Sequence, residues 1–277
     1  MLVFIYVILY INPALSAIEG STMMKDTIYT IPLTDAFKAD DECPFCNIKR
    51  KLEQDAISFI LGCAYMEDDI RANTDEVGFC HEHYKKMYDY GNRLGNALML
   101  HTHLIKLQKE LNEKIEGFTP TKAGMFAKLK RPKTVEDTTG NIISHWAKEK
   151  EHSCYICDSY NKNFTRYMGT FFYLIESNEE FKTLFKNSKG FCVPHFGEIM
   201  ALADTQLSDK CKEEFYTTLF DLMKQNLKRI EEDVSWFIDK YDYKNKDADW
   251  KNSKDAIPRA MQKLGSIYVQ DAPFKEK

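Results

Sequence analysis

From Asn47 to Leu61 the chain has no Gly or Pro and sets Ile48, Leu52, Ala56, Ile57 and Ile60 three or four positions apart, the spacing of one helix face. Gly62 is placed to interrupt that helix, and a second helical piece is expected from about Ala64 to Ala72. The same pattern predicts a helix over Tyr160 to Glu176, a break near Ser177-Asn178 and a return helix over Glu179 to Lys186. Two longer stripes follow these pairs. One runs through Ala97, Leu100, Leu104, Leu107, Leu111 and Ile115, the other through Tyr216, Phe220, Met223, Leu227, Ile230, Val234 and Phe237. Both are expected to be buried, the long helices packing on each other or on their own units. A short helix near Lys254 to Leu264 accepts Pro258 in its first turn. Ile28 to Pro32 reads as a short extended segment. The expected fold class is therefore mainly α.

The length of 277 residues suits one large domain or two ordinary ones. A formal net charge of -4 with 29% charged residues gives no global bias toward nucleic acid or membrane surfaces. Leu2 to Ile11, followed by Asn12-Pro13-Ala14-Leu15-Ser16-Ala17, imitates a secretory signal but has no Lys or Arg before it. It is also too short for a membrane span, which takes about 20 apolar residues. Met24 offers an alternative start, and a cytoplasmic protein is expected, with export as the alternative.

The candidate chemistry lies in a pattern that occurs twice. Cys43-Pro44-Phe45-Cys46 is followed, after 33 intervening residues, by Cys80 in Gly78-Phe79-Cys80-His81-Glu82-His83. Cys154-Tyr155-Ile156-Cys157 is followed, after 34 intervening residues, by Cys192 in Gly190-Phe191-Cys192-Val193-Pro194-His195. Adding 112 to Leu104, Leu111 and Ile115 reaches Tyr216, Met223 and Leu227, so the duplication is expected to extend past the cysteines. A C-x-x-C knuckle with a C-x-x-H knuckle has the ligand types and local spacing of tetrahedral zinc. We assign Cys43, Cys46, Cys80 and His83 to one structural zinc, and Cys154, Cys157, Cys192 and His195 to a second. Val193 stands where His81 does, so the repeat selects His83 over His81.

On that assignment each spacer must double back, because one straight helix would carry Cys80 roughly 50 Å from Cys46. Gly78 and Gly190 are placed for tight turns, and Phe79 and Phe191 for covering the sites. Cys63 and Cys211 fall outside the pattern, in apolar helical contexts. Glu67-Asp68-Asp69, Arg71, Asn92, Arg93 and His103 are candidates for a polar pocket, against a solvated face as the plainer reading.

These boundaries give an apolar extension at 1-23, a first zinc-clipped helical unit at 24-116, a basic linker at 117-143, a second zinc-clipped unit at 144-241 and a tail at 242-277 with a short helix. Four closed ligands leave no position for substrate water, so no catalytic residue is assigned. The expected function is a non-catalytic zinc-binding module for a protein or small-molecule partner, nucleic acid and membrane being disfavoured. The alternative is a thiol-based redox or metal-responsive protein, in which the same cysteines lose zinc on oxidation.

Cys43-Pro44-Phe45-Cys46, Tyr65-Met66-Glu67-Asp68-Asp69-Ile70-Arg71, Gly78-Phe79-Cys80 with His83, Asn92-Arg93-Leu94-Gly95 through Thr102-His103-Leu104, Gly190-Phe191-Cys192 with His195, and Tyr241-Asp242-Tyr243 through Lys254-Asp255-Ala256 carry a resemblance. Together with Ile28 to Pro32, they resemble a bacterial family, domain of unknown function 6062, over about residues 24 to 265. The resemblance implies a start near Met24 and no established activity. Some members are labelled ABC-transporter substrate-binding protein, which implies a ligand-binding role from the resemblance alone.

Overall fold

A computed structural model describes residues 26–120 and 140–269. Eleven α-helices and no strand occur among them: α1 (Asp26–Lys38), α2 (Pro44–Gly62), α3 (Asp68–Val77), α4 (His81–Tyr90), α5 (Arg93–Glu116), α6 (Ile142–His152), α7 (Tyr155–Ser177), α8 (Glu179–Lys186), α9 (Val193–Gln206), α10 (Asp209–Asp239) and α11 (Ala256–Gly265). Short 3-10 turns lie at Ala64–Met66 and Tyr243–Asn245. None of these helices is long and apolar enough to cross a membrane. The signal-like residues and most of the basic linker fall outside the described residues.

Pro44 opens α2 at a position where a missing amide hydrogen costs nothing, and Gly62 closes it as the pattern predicts. Asn178 separates α7 from α8 and accepts the Phe181 amide at 2.9 Å, which makes α8 begin where expected. The piece expected over Ala64 to Ala72 is instead a 3-10 turn and then α3, whose first turn holds Asp68 and Asp69. Ile28 to Pro32 is helical rather than extended. Leu33, Ala36 and Phe37 form one buried face of α1, and their burial, at roughly 1.5–3 kcal/mol for each large side chain, outweighs the hydrogen bond that Pro32 removes.

α2 and α7 pack on each other and connect two cores. The start of α2 belongs to the larger core, where Phe45 meets Phe164 and Phe171 of the middle of α7. Phe171 is the hub of that core, in contact with Phe37, Phe181, Phe185, Phe191 and Phe215. At the other end, Ile57, Ile60 and Leu61 of α2 pack with Cys154 and Ile156 at the start of α7, together with Phe79, Met87, Tyr90 and Met99. The two helices are thus antiparallel.

The long stripes are buried only in part. α10 turns Phe215, Leu219, Leu222, Met223 and Ile230 inward and packs on α11. α5 packs on α3, α4 and α6, but its buried face is Gly95, Met99 and His103. Leu100, Leu104 and Ile115, expected inside, are exposed.

Candidate metal centre

Each C-x-x-C knuckle opens a helix and each C-x-x-H knuckle opens another, with a cysteine as the residue capping all four. Cys43 and Cys154 cap α2 and α7 with nearly the same backbone angles, φ -153°, ψ 112° and φ -160°, ψ 117°. Cys80 and Cys192 cap α4 and α9, at φ -74°, ψ 165° and φ -71°, ψ 160°. Helix amides and the helix dipole favour a thiolate at such positions. Gly78 and Gly190 precede them with positive φ of 72° and 69°, at the positions where the sequence predicts tight turns.

The knuckles assemble crosswise. Cys43, Cys46, Cys192 and His195 form one cluster, called here the α2 cluster; Cys80, His83, Cys154 and Cys157 form the other, the α7 cluster. All eight predicted residues fall in these two clusters, but they are not grouped as predicted, with each repeat closing its own site. Helix length is the reason. The 19 residues of α2 carry the chain about 28 Å from Cys43, and the 10 residues of α3 can return only about 15 Å of that. In the second half, the 23 residues of α7 face only 8 in α8. Cys80 therefore stays at the far end of α2, which is the near end of the antiparallel α7.

The spacing within each cluster suits one tetrahedral ion. In the α2 cluster His195 Nδ1 lies 3.4, 3.5 and 3.1 Å from the Sγ atoms of Cys43, Cys46 and Cys192. In the α7 cluster His83 Nδ1 lies 3.1, 3.2 and 3.4 Å from those of Cys80, Cys154 and Cys157. Tetrahedral zinc with bonds near 2.3 Å to sulfur and 2.0–2.1 Å to nitrogen has edges of about 3.5–3.8 Å, so an ion would spread these contacts by a few tenths of an ångström.

The surroundings of the clusters differ. In the α2 cluster all four ligands are buried, and His195 sits against the rings of Phe45 and Phe164 with no hydrogen-bond partner at Nε2. Residues at and beyond the end of α11 close it. Ser266 Oγ lies 2.9 Å from Cys46 Sγ and 3.4 Å from Cys192 Sγ. Lys263, fully buried, donates to the carbonyls of Glu42 and Lys189 at 2.7 and 2.6 Å, tying together the chain just before Cys43 and just before Gly190. In the α7 cluster, His83 Nε2 donates to Glu53 at 3.0 Å, and Glu53 accepts from Lys86 at 2.6 Å. This carboxylate–histidine pair fixes the ring so that Nδ1 faces the thiols. Cys80 and Cys157 are only half-buried and line a cleft of about 800 Å³, which Lys49, Glu53, Tyr160 and Tyr268 also border.

Without a metal, the crowded thiols of each cluster are pushed apart in acidity. Hydrogen bonds from Cys43 and Cys46 push the Cys192 thiol far down, whereas burial pushes Cys43 up. The Cys157 hydrogen bond, with a contribution from His83, lowers Cys154 to about 3. Burial opposes charge on His83, but Cys154 and Glu53 more than offset it and raise the imidazole to about 10.

His81, passed over as a ligand, is exposed and lies 3.1 Å from the Glu82 carboxylate, outside both clusters. Cys63 and Cys211 are not buried apolar thiols: Cys63 caps the end of α2 in an exposed position, and Cys211 is half-buried. Asn92, Arg93 and His103 are engaged in the fold. Asn92 caps α5 and donates to the Leu61 carbonyl, Arg93 stacks on Tyr88, and His103 donates to the Asp75 carbonyl beneath Gly78. Sequence reading missed Glu53, Lys263 and Ser266. Only Glu53 left a signal, being an acid seven positions after Cys46, two helical turns along α2.

No curated protein and no solved structure matches the chain. A family model matches residues 24–271, nearly the whole chain. Apart from the family resemblance noted from its motifs, identity therefore rests on that match: the chain belongs to the family of unknown function DUF6062.

Proposed function

We propose that the protein is a non-catalytic, two-zinc helical module that presents its surface to a partner. The observation that carries this reading is the closure of both clusters by three sulfurs and one imidazole at tetrahedral spacing. A thiolate-rich four-ligand set suits zinc and leaves no open coordination position for substrate. The near-identical capping angles of the paired knuckles, and the matched turns at Gly78 and Gly190, support an internal duplication whose half-sites have exchanged. Thiolate ligands of this kind fit a reducing compartment such as the cytoplasm. Exposed Leu94, Leu104, Ile105 and Ile115 along α5 offer apolar surface for a protein partner.

Elemental analysis of the full chain purified under reducing conditions tests the metal. About two zinc ions per chain, with the buried thiols of Cys43, Cys46, Cys154 and Cys192 unreactive until chelation, is the expected result. A chain with no metal and oxidised cysteine pairs overturns the reading. Crosslinking with alanine at Leu104 and Ile105 as the control tests the partner surface: adducts that do not depend on these residues overturn the assignment to α5.

A further inference from the structure

The two clusters have the same ligands but unequal access. In the α2 cluster Cys43, Cys192 and His195 are sealed, and Cys46, which borders the cleft, is 2% exposed and bonded to Ser266. A reagent in the cleft thus finds no second open thiol there. In the α7 cluster Cys80 and Cys157 are both half-buried, both border the cleft, and their sulfurs lie 3.9 Å apart, while Cys154 behind them is buried.

Resting on the two-zinc reading, we propose that Cys80 and Cys157 are a site of reversible oxidation, at which a hydroperoxide entering the cleft forms a disulfide and expels the α7-cluster zinc, while the α2 cluster stays loaded. One thiolate attacks the peroxide, breaking the O–O bond, forming a sulfenic acid and releasing hydroxide. The second thiolate attacks that sulfur, forming the S–S bond and releasing a second hydroxide. With hydrogen peroxide, two thiolates and one peroxide give one disulfide and two hydroxides, the two electrons passing from sulfur to oxygen. Only His83 and Cys154 then remain as ligands, too few to retain zinc against competing chelators. A dithiol reductant reverses the step.

The test uses the zinc-loaded full chain, hydrogen peroxide, a chromogenic zinc chelator and peptide mapping of the disulfide. The proposal expects one zinc per chain released with a Cys80–Cys157 disulfide, at least about tenfold faster than the second zinc, and rebinding after dithiothreitol and zinc. Alkylation of the untreated loaded chain should label Cys80 and Cys157 before Cys43, Cys46 and Cys192, which requires no variant to fold. Simultaneous loss of both ions, earlier loss from the α2 cluster, a disulfide elsewhere or retention of both ions overturns the proposal. A chain purified without zinc overturns instead the reading on which it rests, and the two failures are read from separate measurements.

Discussion

Glu53 is the residue through which the α7 cluster is oriented, since it accepts from His83 and from Lys86. Glu53→Ala is expected to weaken zinc at that cluster by roughly 10–100-fold and leave the α2 cluster unchanged, as read by stepwise competition with chelators. The pH dependence has a definite sign. The lowered carboxyl of Glu53, held down by His83 and Lys86 against the cost of burial, contributes stability above its ordinary value of 4.5 that is lost as pH falls through the folded value. The raised imidazole of His83 acts the other way in the metal-free chain: its contribution is complete below 6.5 and lost as pH rises through about 10. Zinc must displace that proton along with thiol protons. Uptake near pH 7.5 is therefore expected to release more than one proton per ion, measured calorimetrically in buffers of differing ionisation enthalpy, with affinity rising from pH 6 to 8. Gly78 combines φ 72° with ψ -157°, a region almost confined to glycine, and an added Cβ would lie 2.7 Å from His103 Nε2. Gly78→Ala is expected to cost at least about 1–3 kcal/mol in denaturant unfolding of the zinc-loaded chain.

At the level of elements, α11 shows how existence can be legible while role is not. Its helix was readable within two residues of its bounds from Pro258 and the apolar spacing. Nothing local marks Lys263 as the group that joins two distant carbonyls, because that contact spans 221 positions to Glu42 and 74 to Lys189. Lys263→Met would leave both carbonyls without their donor. The expected loss is about 2–4 kcal/mol of stability, with faster labelling of Cys46 by a thiol reagent, both measured on the zinc-loaded chain. α6 was missed altogether, although Asn141 and Ser144 form a capping box at its start and Trp146 and Lys150 anchor it to Glu110 of α5. The α5 stripe misled for a simple reason: periodicity reveals an apolar face but not what covers it. The buried face instead holds Gly95 and His103, which carry little apolar signal, beside Met99.

Across the whole molecule, which residues join the clusters was legible and how they pair was not. Spacing names a knuckle because C-x-x-C and C-x-x-H are local; which knuckles meet depends on the lengths of α2 and α7, which exceed those of α3 and α8. The crosswise arrangement makes each half of the chain incomplete. Residues 24–120 and 140–277 produced separately are each expected to hold no complete tetrahedral site, and to recover two zinc ions per pair when mixed, as read by elemental analysis after gel filtration. Two independently loaded halves would contradict the arrangement.

Crosswise closure also sets the timing of synthesis. Cys46 and its cluster partner Cys192 are 146 positions apart in the chain. At a ribosomal rate of about 5–20 residues per second, the first knuckle waits roughly 7–30 s for its partner to be made. During that interval Cys43 and Cys46 are a two-thiol chelate open to competing metals and oxidants. On the two-zinc reading, loading of the α2 cluster is then exposed to the metal supply and redox state at the ribosome, before that cluster has a fold to protect it.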